Sequence, residues 1–188
     1  MLAVLYWRYR CGLMSTFLAI SGSLRAASLN TRLLHALPSL APRDAQIAQF
    51  DISQVPLYNQ DLDTEDAPAV VQAMRLAVQE ADGIILVTPE HNHTIPAATK
   101  NVIDWMSRPY QNGHLRHKNI ALFVGSIGPT SGTYCLAHTK DLLELLENTV
   151  VCAHAIGALH EKLDNVGGVE TVVDEQTAQM IREGLSQL

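Results

Sequence analysis

Short apolar runs alternate with amphipathic stretches along most of the chain. The clearest run is Gly83–Thr88, with the sequence GIILVT. A short run that is apolar at nearly every position is typical of a strand buried on both faces, as in a parallel sheet covered by helices. We predict five strands of this kind: Thr16–Ser21, Ala45–Asp51 (the weakest), Gly83–Thr88, Asn119–Val124 and Thr149–Ile156.

The stretches between these strands carry apolar residues three and four positions apart. This spacing is typical of a helix with one buried face. Pro68 and Pro96 each stand at the start of such a stretch, where proline is favoured. Five strands that alternate with five helices predict an α/β fold, an open parallel sheet with helices on both faces. The predicted helix faces include Leu33, Met74, Val102, Leu143 and Ile181.

The 188 residues fit a single domain. We predict that this domain spans residues 14–188, because residues 1–13, rich in aromatic side chains and arginine, do not follow the alternation. Residues 1–13 are interpreted as an N-terminal extension, with an oligomer contact as the alternative. The apolar run after Arg10 resembles part of a signal peptide, but cleavage there would remove the first strand. We therefore expect neither a signal peptide nor a membrane span.

Composition narrows the partners and the compartment. Thirteen Lys and Arg against nineteen Asp and Glu give a formal net charge of −6, which disfavours nucleic acid as a partner. The three cysteines, at positions 11, 135 and 152, are too widely spaced for a C-x-x-C pair or a metal site, which favours a reduced, cytoplasmic protein. Cys135 and Cys152 fall on apolar faces, so we interpret both as core residues.

Three loops follow the first, third and fourth predicted strands, and they carry the candidate chemistry. In open α/β sheets, ligands bind at the edge formed by the carboxyl ends of the strands. The first loop, 21–30, combines a glycine, several hydroxyl groups and Arg25 with the start of a helix. These groups suit a phosphate that is bound without a metal. The alternative is that Ser28 only caps the helix and Arg25 is solvated.

The other two loops offer backbone and ring contacts. Loop 88–96 is dense in polar groups, so Asn92 and the main chain could bind the edge of a heteroaromatic ring while His91 lies against it. The alternative for this loop is a capped turn. Loop 125–132 is rich in glycine and serine, which allows backbone amides to approach a ligand but also serves ordinary turns.

These motifs, in this order, resemble the NAD(P)H-dependent FMN reductases of flavodoxin-like fold, a family that includes bacterial quinone and chromate reductases. The resemblance extends from Thr16 to about Leu159. It implies a three-layer sandwich with strand order 2-1-3-4-5, bound FMN, NADH or NADPH as co-substrate, and a homodimer or homotetramer. The motifs are GSLR at 22–25, PLYNQD at 56–61, TPEHN at 88–92 and KNVID at 100–104.

The resemblance also implies which residues bind FMN. The phosphate loop contributes Ser23, Leu24, Arg25, Ser28 and Asn30, the isoalloxazine loop contributes Pro89, Glu90, His91 and Asn92, and Ser126 lies nearby. No catalytic side chain is implied, because the cofactor carries the chemistry. Two positions depart from the family pattern: His91 replaces a usual tyrosine, and loop 129–132 lacks the paired glycines common there.

The implied activity is the transfer of hydride from NAD(P)H through FMN to a quinone, free flavin or a similar small acceptor, with chromate and azo compounds included. Two alternatives stay open. One is a non-catalytic, FMN-binding electron carrier that serves a partner protein, and the other is a family member that has lost flavin through the two departures. No metal site is expected, because the histidine pairs 91/93 and 114/117 lack further ligands.

Overall fold

Strands and helices alternate through the part of the chain that the structure describes. This is a computed structural model, and it describes residues 14–128 and 131–188. The predicted N-terminal extension, residues 1–13, lies outside the described residues. The strands are β1 (Ser15–Ser21), β2 (Ala45–Phe50), β3 (Gly83–Thr88), β4 (Asn119–Gly125), β5 (Thr149–Ile156), β6 (Leu163–Val166) and β7 (Val169–Val172). The α-helices are α1 (Leu29–Ala36), α2 (Ala69–Glu80), α3 (Ala97–Met106), α4 (Thr133–Leu145), α5 (Leu159–Lys162) and α6 (Glu175–Leu185).

The first five strands form one parallel sheet in the order β2-β1-β3-β4-β5. Successive side chains of a strand point to opposite faces, so each strand supplies two separate cores. Leu18 and Ile20 of β1 belong to the core under α2, α3 and α4. Phe17 and Ala19 belong to the core under α1 and α6. The strand order and the layers confirm the flavodoxin-like sandwich predicted from the sequence.

The carboxyl ends of β1 and β3 approach each other closely at Gly22, the residue that follows β1. A Cβ atom at this position would lie 2.1 Å from Thr99 Oγ1 and 2.6 Å from Thr88 Oγ1. These two hydroxyl oxygens are 2.6 Å apart, and the Thr99 hydroxyl donates to the Gly22 carbonyl at 3.3 Å. All three residues are buried. The absence of a side chain at Gly22 therefore sets the distance between the first loop, β3 and α3.

The β6–β7 hairpin and the short helix α5 were not predicted. The two strands pair antiparallel across a turn at Gly167 and Gly168, which have φ angles of 61° and 89°. An ion pair of 2.9 Å between Arg32 and Glu170 links the hairpin to α1. Each strand has only four residues, which is too short for an alternating pattern to stand out from a loop.

Both described cysteines lie in the interior, as interpreted from the sequence. Cys135 is fully buried and Cys152 is 7% exposed. Burial raises the pKa of each thiol to about 11, and for Cys135 the nearby Glu90 carboxylate adds to the increase. Within residues 14–128 and 131–188, no helix is long and apolar enough to cross a membrane.

The packing at Gly22 predicts that Gly22→Ala destabilises the fold. The added methyl group would be forced against two buried hydroxyls, and overpacking of this kind costs about 1–3 kcal/mol of unfolding free energy. Urea unfolding without added cofactor measures the effect. Gly128→Ala is the matched control, because among the described residues the nearest atom to its Cβ would be Ser126 Oγ, 3.6 Å away. Equal stability of the two variants would contradict the account of Gly22.

The cysteine environments predict slow thiol labelling. With a pKa of about 11, only about one thiol in a thousand is ionised at pH 8, and the thiolate is the reactive form. A Cys11→Ser variant leaves Cys135 and Cys152 as the only thiols. We expect a disulfide reagent to label this variant quickly in urea and very slowly in its absence. Rapid labelling of the folded protein would show that one of these thiols is accessible.

Candidate functional site

A cavity of about 510 Å³ lies at the carboxyl ends of β1, β3 and β4. The three loops singled out in the sequence meet there, as does the start of α3. The predicted residues that line it are Ser23, Leu24, Arg25, Ser28, Asn30, Pro89, Glu90, His91 and Ser126. The structure thus brings together every predicted site residue except Asn92.

The β1–α1 loop presents donors for an anion. Ser28 is the N-cap of α1, and its side chain accepts from the Thr31 N–H at 3.3 Å. The first N–H groups of a helix have no partner within the helix and point toward a ligand at its N-terminus. Arg25 is exposed, lines the cavity and forms no ion pair with any residue that the structure describes. Arg25 is therefore available to an anion at the start of α1.

Asn30 ties the first loop to the third. Its side chain is almost fully buried, its Oδ1 accepts from the Gly125 N–H at 3.0 Å, and its Nδ2 donates to the Gly125 carbonyl at 3.1 Å. A Cβ atom on Gly125 would lie 2.5 Å from Asn30 Oδ1. Both ends of this amide are thus engaged by the backbone of β4. The contact of Asn30 with a phosphate stays a prediction.

The β3–α3 loop begins with a tight turn. His91 and Thr94 exchange two backbone hydrogen bonds, of 3.2 and 3.0 Å, around Asn92 and His93. The two central residues have φ angles of 49° and 58°, which is typical of the two-residue turns found in hairpins. This turn leaves His91 in the lining of the cavity, while Asn92 lies outside it. The contact between Asn92 and a flavin stays a prediction.

Glu90 has a contact that the sequence analysis missed. Its carboxylate accepts from the N–H of Cys135, in the first turn of α4, at 2.9 Å. The helix begins after Gly132, which supplies no side-chain cap, so the Glu90 anion satisfies an otherwise unpaired donor at the positive end of the helix. The other carboxylate oxygen lies 3.5 Å from His93 Nδ1. Glu90 therefore connects the β3–α3 loop with α4.

Apolar residues that the sequence analysis did not select complete the cavity. Pro96, Ala97 and Ala98 supply the wall at the start of α3. Leu24 and Ile127 are 60% and 69% exposed and stand at the mouth. Only the helix-starting position of Pro96 could have indicated this wall in advance. In the part of the chain described, no three His, Cys, Asp or Glu side chains are grouped as ligands for a metal ion.

Comparisons with known proteins identify the family. The sequence matches the family described as NADPH-dependent FMN reductase over residues 15–162. A quinone reductase of Escherichia coli (strain K12) is 34% identical over 166 residues, which cover 87% of this chain and 83% of the relative. A 2-hydroxy-1,4-benzoquinone reductase of a Burkholderia species is 32% identical over 163 residues, which cover 87% of this chain and 88% of the relative.

A solved structure with the same fold is that of FerB, a flavoenzyme NAD(P)H:(acceptor) oxidoreductase from Paracoccus denitrificans. It aligns with a TM-score of 0.78 and 29% identity, over 92% of this chain and 94% of FerB. The family match runs from β1 to α5 and therefore includes all three loops that line the cavity. The chain belongs to the NADPH-dependent FMN reductase family and is an FMN-dependent oxidoreductase that takes its electrons from NAD(P)H.

Proposed function

We propose that this chain reduces quinones, with FMN bound in the cavity at the ends of β1, β3 and β4. One observation carries the proposal: the β1–α1 loop, which offers donors for an anion, and the polar β3–α3 loop line the same cavity. Its volume, about 510 Å³, lies in the range of cofactor pockets, about 300–1,000 Å³. The donors and the volume of this cavity therefore support FMN as its ligand.

The phosphate end of the site is assigned to the β1–α1 loop. The hydroxyls of Ser23 and Ser28, the guanidinium of Arg25 and the start of α1 together supply neutral and charged donors. Gly22 allows the backbone to lie close against Thr88 and Thr99, which places this loop beside the end of β3. Leu24 belongs to the same segment and shields one side of the mouth.

The ring end of the site is assigned to the β3–α3 loop and to Ser126. Pro89 and His91 offer flat surfaces, the backbone of this loop offers polar groups, and Ala97 and Ala98 supply an apolar wall. When bound, FMN supplies the two-electron chemistry that links NAD(P)H to the acceptor. The protein orients the cofactor, holds its phosphate and leaves the mouth open to small molecules.

Quinones are the proposed acceptor class, because two relatives that align over most of this chain are named as a quinone reductase and a benzoquinone reductase. Free flavin, azo compounds and chromate are the other acceptors to be compared. The non-catalytic carrier is not supported, since the matched family consists of reductases. The cytoplasm as compartment, the homodimer or homotetramer, and residues 14–188 as the functional domain belong to the same proposal.

Arg25→Ala is expected to weaken FMN binding about 10-fold. A hydrogen bond to a charged group contributes about 1.5–3 kcal/mol, and the exposure of Arg25 reduces that value. Quenching of flavin fluorescence measures the dissociation constant. Riboflavin lacks the phosphate, so its binding should change little in the same variant. Arg43→Ala is the matched control, because Arg43 precedes β2 at the opposite edge of the sheet. A parallel loss of riboflavin binding would contradict the assigned role.

The FMN-loaded protein is expected to oxidise NADH or NADPH with 1,4-benzoquinone in the absence of any partner protein. The cavity mouth is open to small acceptors, so multiple turnovers should be seen in a spectrophotometric assay at 340 nm. The same assay with flavin, an azo dye and chromate ranks the acceptors. A protein that binds FMN but shows no turnover with any of them would refute the proposed function.

A further inference from the structure

The reduction of a quinone requires a proton that the electron donor does not supply. NAD(P)H provides a hydride equivalent, which is two electrons and one proton. A quinone becomes a hydroquinone by gaining two electrons and two protons, so one further proton must reach a quinone oxygen. Among the described residues that line the cavity, three have ionisable side chains: Arg25, Glu90 and His91.

Arg25 and Glu90 are poorly suited to deliver this proton. A guanidinium group does not release its proton in proteins. One oxygen of the Glu90 carboxylate accepts a hydrogen bond from the Cys135 N–H, and the other lies 3.5 Å from His93 Nδ1. Both oxygens are thus already engaged by the protein on the side of the loop toward α4.

His91 is placed to deliver this proton. It is exposed, lines the cavity, and its ring makes no hydrogen bond, ion pair or ring contact with another residue that the structure describes. The neighbouring histidines are both engaged: His93 lies 3.5 Å from Glu90, and His138 Nδ1 lies 3.1 Å from Thr94 Oγ1. The paired backbone of His91 and Thr94 holds the main chain of His91 at the cavity.

We propose that His91 is the proton donor that completes quinone reduction, an inference that rests on the proposed function. The N–H bond of the protonated imidazole breaks, and an O–H bond forms on the quinone oxygen that does not receive the hydride equivalent. The exposed ring then takes a proton from water. The balance is NAD(P)H plus quinone plus one proton, giving NAD(P)⁺ and hydroquinone.

The charges around His91 are mixed. Glu90 precedes it in the same loop, and Arg25 faces the cavity from the β1–α1 loop. On the side of the loop toward α4 are His93, Tyr134 and His138; the rings of His93 and Tyr134 meet edge to face at 5.2 Å. An imidazole can both give up and take up a proton at its ring nitrogens, which suits a donor that is reloaded from water.

The test compares two acceptors in each variant. Ferricyanide takes one electron and no proton, whereas 1,4-benzoquinone needs the proton. We expect His91→Phe, which keeps a flat ring, to lower the ratio of the quinone rate to the ferricyanide rate about 100-fold at pH 6, the lower end of general acid catalysis. Rates are expressed per bound FMN. His138→Phe is the matched control and should leave the ratio unchanged.

The pH profile and chemical rescue add two further readouts. A donor must be protonated, so the wild-type ratio should fall as the pH is raised, while the ratio in His91→Phe stays low and flat. Added imidazole should restore the quinone rate of His91→Ala and leave its ferricyanide rate unchanged. An unaltered ratio in His91→Phe, or the absence of rescue, would overturn the proposal.

A binding measurement tests the contact without turnover. The NMR signal of the His91 ring is identified as the one that is missing in His91→Phe. When hydroquinone is added to the oxidised, FMN-loaded protein, this signal should shift, while the signal of the His160 ring should stay in place. The absence of a shift at His91 would overturn the proposal. If the wild-type protein oxidises NAD(P)H with neither acceptor, the proposed function is refuted. If His91→Phe is active with ferricyanide and keeps the wild-type ratio of quinone rate to ferricyanide rate, only the role of His91 is refuted.

Discussion

The close contact of Gly22 with the hydroxyl pair of Thr88 and Thr99 is the constraint on which the candidate site depends. Thr88 is the last residue of β3, directly before the β3–α3 loop, and Thr99 lies in the first turn of α3. One contact therefore fixes the β1–α1 loop relative to both ends of the β3–α3 loop. A buried hydroxyl without a partner would cost about 1–3 kcal/mol, and these two hydroxyls satisfy each other at 2.6 Å.

Two further contacts, one buried and one partly buried, extend this arrangement around the cavity. Asn30 joins the start of α1 to Gly125 at the end of β4, and Glu90 joins the β3–α3 loop to α4. Side-chain contacts within the protein thus tie each of the three loops to a neighbouring element. These contacts do not depend on a bound ligand. A site whose loops are already positioned loses less conformational freedom when a ligand binds, which favours affinity.

The sequence predicted those features that depend on local pattern. The bounds of β3 and β5 match the predicted ones, because both runs are apolar and end at polar or glycine residues. The β6–β7 hairpin was missed because four-residue strands show too little pattern. The contact of Glu90 with Cys135 joins residues 45 positions apart, and that of Asn30 with Gly125 joins residues 95 apart. No local signal reports such pairs, so the sequence indicated which residues gather at the site but not which of them hold the loops together.

The net charge of −6 and an anion site are compatible because they act over different distances. Charges spread over the surface are screened beyond about 10 Å at 0.1 M salt, whereas Arg25 and the start of α1 would contact a bound phosphate directly. The attraction of a phosphate by direct hydrogen bonds from the Arg25 guanidinium therefore outweighs its repulsion by distant acidic side chains. The same field still repels long polyanions, which would meet many acidic side chains at once. A small phosphate compound held by direct contacts at the start of α1, as proposed, is therefore compatible with a protein that is acidic as a whole.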